Sequence, residues 1–254
     1  MPVPTRYCGL EGRSVFITGG STGIGATLVQ EFAAQGARVG FVDIDVGNAL
    51  ALQARVGELG QRVHFVPCDV TDTGRLREAI AQLRTHIGPI QVLLNNAAND
   101  ERHRIEDTTP QSWDDGVAVN LKHQFFTAQE VAADMKALGG GSIVNFGSVS
   151  WMLKQGGMPV YTTCKAAVQG LTRSLARDFG RFRIRVNTLV PGWTMTEKQL
   201  RLWVTPESRA ELARAQCLPG DLLPQHIAKA ALFLASDDSQ MMTAQDLVVD
   251  GGWT

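Results

Sequence analysis

Strand-like and helix-like segments alternate along the whole chain, which predicts one α/β domain: a doubly wound parallel sheet of about seven strands with helices on both faces. Three observations carry this. The alternation implies parallel strands joined by right-handed crossovers. The 254 residues, 44% of them hydrophobic, suffice for one large core and are too few for two domains of ordinary size. No Pro/Gly/Ser linker or internal repeat divides residues 1–254, so a single domain is expected.

Each element has its own signature. Residues 14–18 (SVFIT) form a short apolar run ending in Gly-Gly, as a buried strand does. Residues 26–36 show helical periodicity and a glycine stop at Gly36. A strand is expected at 38–43, a helix at 47–60 and a strand at 63–69. Residues 71–88 carry a Thr or Asp cap, an apolar stripe and a glycine stop. Strands follow at 91–96, 142–147, 184–190 and 246–250, with helices around 113–138, 159–180 and 224–235. In such sheets ligands sit beyond the carboxyl ends of the strands. The chemistry is therefore expected just after each strand.

Charge and composition exclude several classes. The formal net charge is -1, so neither nucleic acid nor an anionic membrane surface is an expected partner. No run of 18 apolar residues exists, and the N-terminal stretch lacks the basic and apolar regions of a signal peptide. The four cysteines (Cys8, Cys68, Cys164, Cys217) fit neither a redox pair nor a zinc set. Together these point to a reduced, cytoplasmic compartment. The five histidines never stand at i, i+4, and no metal site is expected.

The sequence TGGSTGIG at 18–25 follows the first strand and opens the first helix. Gly19, Gly23 and Gly25 would let a pyrophosphate approach the backbone, and the N–H groups around Ser21, Thr22, Ile24 and Gly25 would face the phosphates. The spacing is G-x-x-x-G-x-G, not the common G-x-G-x-x-G, and alone it is a moderate signal. Asp43 ends the second strand, where a carboxylate can accept both ribose hydroxyls and repel a 2′-phosphate. It thus points to NAD, unless it is simply a helix cap. Asp69 and Val70 end the third strand, where an adenine edge would lie. Asn96, Ala97 and Ala98 end the fourth, with small side chains suited to packing on a ribose. Ordinary turn chemistry would also account for these residues.

Tyr161 and Lys165 stand four apart, on one face of the expected helix. A free phenol titrates near pH 10, too high for a base at neutral pH. A nearby ammonium lowers it, and an oxidised nicotinamide ring would add a second positive charge. Tyr161 could then accept an alcohol proton. A lone Y-x-x-x-K arises often by chance. Here Ser148 follows the fifth strand, where its hydroxyl could meet the reacting oxygen. Asn120 is a polar residue on an apolar helical stretch, either needing a partner or satisfied in the core.

Taken together, TGGSTGIG, CDV, NNAA, Asn120, Ser148, YTTCK and PGWTMT at 191–196 resemble the short-chain dehydrogenase/reductase family, over about residues 10–254. The resemblance implies a Rossmann fold and a catalytic tetrad of Asn120, Ser148, Tyr161 and Lys165. The lysine would also bind the nicotinamide ribose, and the asparagine would bend its helix and hold a relaying water. Pro191, Gly192 and Thr194 match the segment on the nicotinamide side. Two departures stand out: NNAA where NNAG is usual, and FGS where ISS is more frequent. The family also implies a homotetramer, assembled through its long helices and last strand.

Substrate groups are expected from the loops after strands four, five and six, at 99–104, 150–157 and 193–217. These loops are polar. Asn99, Asp100, Arg102, His103, Trp151, Gln155, Trp193 and Gln216 supply the amides, charges and flat aromatic walls that a sugar needs. For any one of them, a surface or packing role is as plausible. The segments NDERH, NFGSVSW, TPE with AQCL, and LASDD also resemble bacterial aldose 1-dehydrogenases of the same family. That resemblance implies oxidation of a pentose or 6-deoxyhexose at the anomeric carbon, giving an aldonolactone. Two other readings stay open. One is a reductase of a keto sugar acid or other small carbonyl, with Arg102, His103 or Arg201 on a carboxylate. The other is a non-catalytic NAD-binding sensor.

Overall fold

A computed structural model describes residues 5–254; the first four residues of the stretch read for a leader lie outside the described residues. Seven strands form one parallel sheet: β1 (Ser14–Thr18), β2 (Arg38–Asp43), β3 (Val63–Pro67), β4 (Val92–Asn95), β5 (Gly141–Phe146), β6 (Ile184–Pro191) and β7 (Asp246–Val249). The spatial order is β3-β2-β1-β4-β5-β6-β7. The direction of winding reverses between β1 and β4, which opens a crevice at the carboxyl edge there.

Strand side chains alternate between two cores. Val15, Ile17, Val39, Phe41, Val92 and Leu94 pack with helices α1 (Gly23–Ala34), α2 (Val46–Glu58) and α9 (Pro224–Ala235). Phe16, Val42, Leu93 and Ile143 pack on the other face with α3 (Thr73–Ile87), α5 (His123–Ala137) and α6 (Pro159–Phe179). All of these strand residues are fully buried. Burial on both faces is why the strands read as continuous apolar runs.

Most expected elements lie within three residues of their observed bounds. The glycine stops hold: Gly36 and Gly88 take φ of +81° each. Asp72 caps α3 by accepting from the N–H groups of Gly74 and Arg75, both at 3.0 Å. Two expectations need correcting. The helix expected around 113–138 is two helices, α4 (Pro110–Val117) and α5, joined by a wider π turn at Ala118–Lys122. The segment 193–217, expected as loop, holds two short helices, α7 (Glu197–Leu202) and α8 (Pro206–Ala215). Among the described residues, no helix is long and apolar enough to cross a membrane. None of their acidic, His or Cys side chains gather in threes as a metal site would need.

Candidate active site

A cleft of about 900 Å³ runs along the carboxyl edge of the sheet. Its first wall is the turn from β1 into α1. A Cβ on Gly25 would lie 1.8 Å from the Gly19 carbonyl oxygen, and one on Gly19 would lie 2.8 Å from the Ala97 Cα. Gly19 also has φ of +68°. These two positions require glycine. The turn is held from beneath by Asn96, whose amide donates to the carbonyls of Thr18 (3.1 Å) and Gly19 (2.8 Å). The Thr22 side chain does not cap α1, so the first N–H groups of that helix remain available at the cleft. A backbone cradle with free donors at a helix start fits a dinucleotide pyrophosphate.

Asp43 stands at the next strand end. One oxygen accepts from the Ser21 N–H at 2.9 Å and the other from the Asp45 N–H at 3.1 Å. A carboxylate so fixed keeps lone pairs for further donors. Asp69 accepts from the N–H and hydroxyl of Thr71, as a turn residue does, while still lining the cleft. Val70, Ala97 and Ala98 line it too, as do Ser21, Thr22, Gly23 and Ile24.

Ser148, Tyr161 and Lys165 meet at the other end of the cleft, beside Pro191, Gly192 and Thr194. Lys165 is 1% exposed; its Nζ donates to the Phe146 carbonyl at 2.7 Å and lies 5.5 Å from the Tyr161 ring centroid. The lowering of the phenol expected from the lysine is not found among the protein groups that shift it. Burial pushes Tyr161 up to about 12; the Ser148 hydroxyl pulls it down, and the Asp100 charge adds to the rise. Burial likewise pushes Lys165 down to about 8, against the Cys164 and Asp100 charges. Both groups are thus held toward their neutral forms by desolvation.

Asn120 does not line the cleft. It is 2% exposed inside the π turn. Its Oδ1 accepts from the Asn99 N–H at 2.9 Å, and its amide donates to the carbonyls of Asn99 (3.1 Å) and Gly116 (3.0 Å). All of this is backbone, so the side chain ties the loop after β4 to the π turn.

The substrate candidates divide. Asp100, Arg102, Gln155 and Trp193 line the cleft. Asp100 accepts from Lys198 Nζ (2.6 Å) and from the Gln199 amide (2.7 Å), and Gln199 accepts from the Trp193 indole N–H (2.9 Å). Burial pushes the Asp100 carboxyl up, but the hydrogen bond and charge of Lys198 outweigh it and hold the group below its ordinary range. Arg102 lies over the Trp203 ring, 4.3 Å from its centroid.

Four candidates are not brought to the cleft. The Asn99 side chain bonds Glu101. His103 is anchored by its N–H on the Gly157 carbonyl, with its ring against the Glu101 carbonyl. The Trp151 indole N–H is buried without a hydrogen-bond partner among the described residues, and Gln216 donates to the Asp250 carbonyl. Sequence reasoning missed Lys198, Gln199 and Trp253, which line the cleft. The first two stood in a segment read only as polar, and Trp253 has no neighbouring pattern to single it out.

A parallel sheet with this reversal, a glycine cradle and a Ser–Tyr–Lys group at one cleft end defines a dinucleotide-dependent oxidoreductase. The family model described as enoyl-(acyl carrier protein) reductase matches residues 19–254, and the chain belongs to the short-chain dehydrogenase/reductase family. It is 46% identical to a "probable galactose dehydrogenase" of Rhizobium meliloti, over 99% of each chain. It is 43% identical to a D-xylose 1-dehydrogenase of Caulobacter vibrioides, over 97% of this chain and 98% of the other. Among solved structures, a 7α-hydroxysteroid dehydrogenase complexed with NADH and 7-oxo glycochenodeoxycholic acid superposes with a TM-score of 0.92. That protein is 31% identical, over 97% of this chain and 96% of its own. The protein is a dehydrogenase acting on CH–OH groups.

Proposed function

We propose that the protein oxidises an aldose, a pentose or a 6-deoxyhexose, at its anomeric carbon to the aldonolactone, with NAD as the acceptor. The observation that carries this is the pairing, in one cleft, of Tyr161, Ser148 and Lys165 with a polar cluster of Asp100, Lys198 and Gln199. The similarity to two sugar dehydrogenases supports the sugar. Asp43 supports NAD, because a 2′-phosphate beside it would meet a carboxylate.

The glycine cradle, Asp43 and Lys165 would hold the dinucleotide, which when bound supplies the electron-accepting ring and a positive charge. The chain's own residues do the rest. Ser148 donates to the anomeric oxygen and orients the hydroxyl. Tyr161 takes the hydroxyl proton as the C1–H bond breaks and the C1=O bond forms. Lys165, fixed by the Phe146 carbonyl, keeps a positive end near the phenol and favours the phenolate once burial is offset by the cofactor's charge. Asn120 acts at one remove, by fixing the backbone of the loop that carries Asp100.

The sugar-acid reading has one observation in its favour, Arg201 at the cleft. Of the other cations that line it, Lys198 is engaged with Asp100, Arg102 with Trp203 and Lys165 with the Phe146 carbonyl, while Arg55 stands on α2. The engaged cations beside Ser148 and Tyr161 favour a neutral ligand there. The test is absorbance at 340 nm across pentoses, hexoses and 6-deoxyhexoses with NAD, and across keto acids with NADH. Aldose oxidation, lost in Tyr161→Phe while NAD still binds, is the expected result. Activity only on keto acids would overturn the sugar reading, and retained turnover in Tyr161→Phe would overturn the base. A homotetramer belongs to the same reading. It is supported by Trp113 on α4 and Phe125 on α5, each 40% exposed. Light scattering on a sizing column should return the mass of four chains.

A further inference from the structure

Five tryptophans occur in the chain, and two of them, Trp193 and Trp253, line the cleft. The Trp193 indole N–H is committed to Gln199. Trp253 makes no side-chain hydrogen bond among the described residues, and its indole N–H is not buried. It stands four residues after β7, where nothing in its local sequence requires an indole.

The backbone around it is fixed with unusual care. Asp250 is 6% exposed. One of its carboxylate oxygens accepts from the Gly252 N–H (2.7 Å), the other from the N–H (2.9 Å) and hydroxyl (3.0 Å) of Thr254. Gly251 and Gly252 turn the chain back with φ of +72° and +80°. The Gly251 carbonyl accepts from the N–H groups of Cys217 and Leu218, both at 2.9 Å, and Gln216 donates to the Asp250 carbonyl at 3.1 Å. A Cβ on Gly192 would lie 2.7 Å from the Asp250 Cβ. Trp253 therefore belongs to the end of the cleft where Trp193 and Gln199 stand, and both sides of its peptide are held.

A buried carboxylate with three donors on a five-residue turn is costly to desolvate unless every bond is made, and here they are made. What the turn delivers is a flat apolar face at a polar cleft. A sugar ring has the matching surface: an apolar C–H face, with hydroxyls around its edge. Asp100, Lys198 and Gln199 offer edge partners; Trp253 offers the face.

We propose that Trp253 is a specificity-determining residue, packing its indole against the C–H face of a pyranose or furanose ring, and that Asp250 is the positioning residue that holds it there. The inference rests on the sugar reading above. It is tested with Trp253→Ala, Trp253→Phe and Asp250→Asn, measuring aldose KM and kcat and, by titration calorimetry, NAD binding. Trp253→Ala should raise the aldose KM roughly tenfold, the size of one aromatic stacking contact. Its kcat should stay within about threefold, and its NAD affinity should be unchanged. Trp253→Phe should recover most of the loss. Asp250→Asn should raise KM in the same way and add little on top of Trp253→Ala. An aldose KM unchanged in Trp253→Ala, or a matching loss of NAD affinity, overturns this inference alone. No aldose turnover by the wild type overturns it together with the sugar reading.

Discussion

Tyr161 and Lys165 illustrate how burial and charge compete at one site. The sequence shows them one helical turn apart, and from that spacing the lysine should make the phenol more acidic. In the folded protein the ammonium is spent on the Phe146 carbonyl, and desolvation raises the phenol to about 12. Spacing gives the face of a helix; it does not give the dielectric around it. Only two tyrosines occur, and Tyr7 is also raised by burial, so tyrosinate absorbance is a clean probe. The protein alone should show no tyrosinate below about pH 10. Saturating NAD should lower the pH at which one phenol ionises, through the positive charge it adds, and Tyr161→Phe should abolish that signal. A phenol ionising near pH 8 without dinucleotide would contradict the burial argument.

The lysine gives a second test, through stability. Its folded pKa, about 8, lies below the ordinary 10.5. Between these values the unfolded chain binds more protons than the folded one, so Lys165 contributes stability that grows as pH rises from about 8 to 10.5. In Lys165→Met this gain is absent. Wild type should therefore gain on the variant in urea midpoint across that window, and show a constant difference below pH 7. A difference that is flat up to pH 10.5 would mean that the ammonium is as well solvated folded as unfolded.

At the level of elements, the strands were legible and the joints were not. A two-sided buried strand announces itself as SVFIT or QVLLN does, and glycine stops at Gly36 and Gly88 mark helix ends. The break inside 110–137 has no periodic signature. It depends on Asn120 reaching the backbone of Asn99, 21 residues away in sequence. In α7 and α8 the signals were present: Thr205 and Ser208 form a capping box with Pro206 at the first helical position, and Thr196 accepts from the Gln199 N–H. The polarity of the segment drew attention to loops instead. Asn120→Leu keeps the branched shape but leaves the Asn99 N–H and carbonyl without their partner. Each such group costs roughly 1–3 kcal/mol, so the variant should lose about 2–6 kcal/mol by urea unfolding. A loss under about 0.5 kcal/mol would mean that water satisfies these groups as well as the amide does.

Across the whole molecule, one row of polar side chains underlies the cleft. Asn95 of β4, Asn145 of β5 and Thr188 of β6 are in register. Asn95 donates to Asn145 (2.9 Å), Asn145 donates to Thr172 of α6 (3.0 Å), and Thr188 bonds the same threonine (2.9 Å). Thr127 of α5 closes the row by donating to Asn95 at 2.6 Å. A fully paired buried row is rigid, and it fixes β4 to β6 and two helices beneath the Ser148–Tyr161–Lys165 end. The other end of the cleft is built by β1 to β3 and α1. A dinucleotide lying along this edge would contact both halves of the sheet, so its binding energy should appear as global stability. At free NAD of 100 times its Kd the gain is about 2.7 kcal/mol, or roughly 5–10 °C in Tm for a chain of this size. NADP at the same concentration should give little, and Asp43→Ala should narrow the gap between the two. Gly25→Ala should abolish both shifts, since the added methyl would lie on the Gly19 carbonyl. Equal shifts from NAD and NADP in the wild type would show that the Asp43 carboxylate does not select against a 2′-phosphate. A shift that survived Gly25→Ala would show that the phosphates lie elsewhere than on the β1–α1 turn.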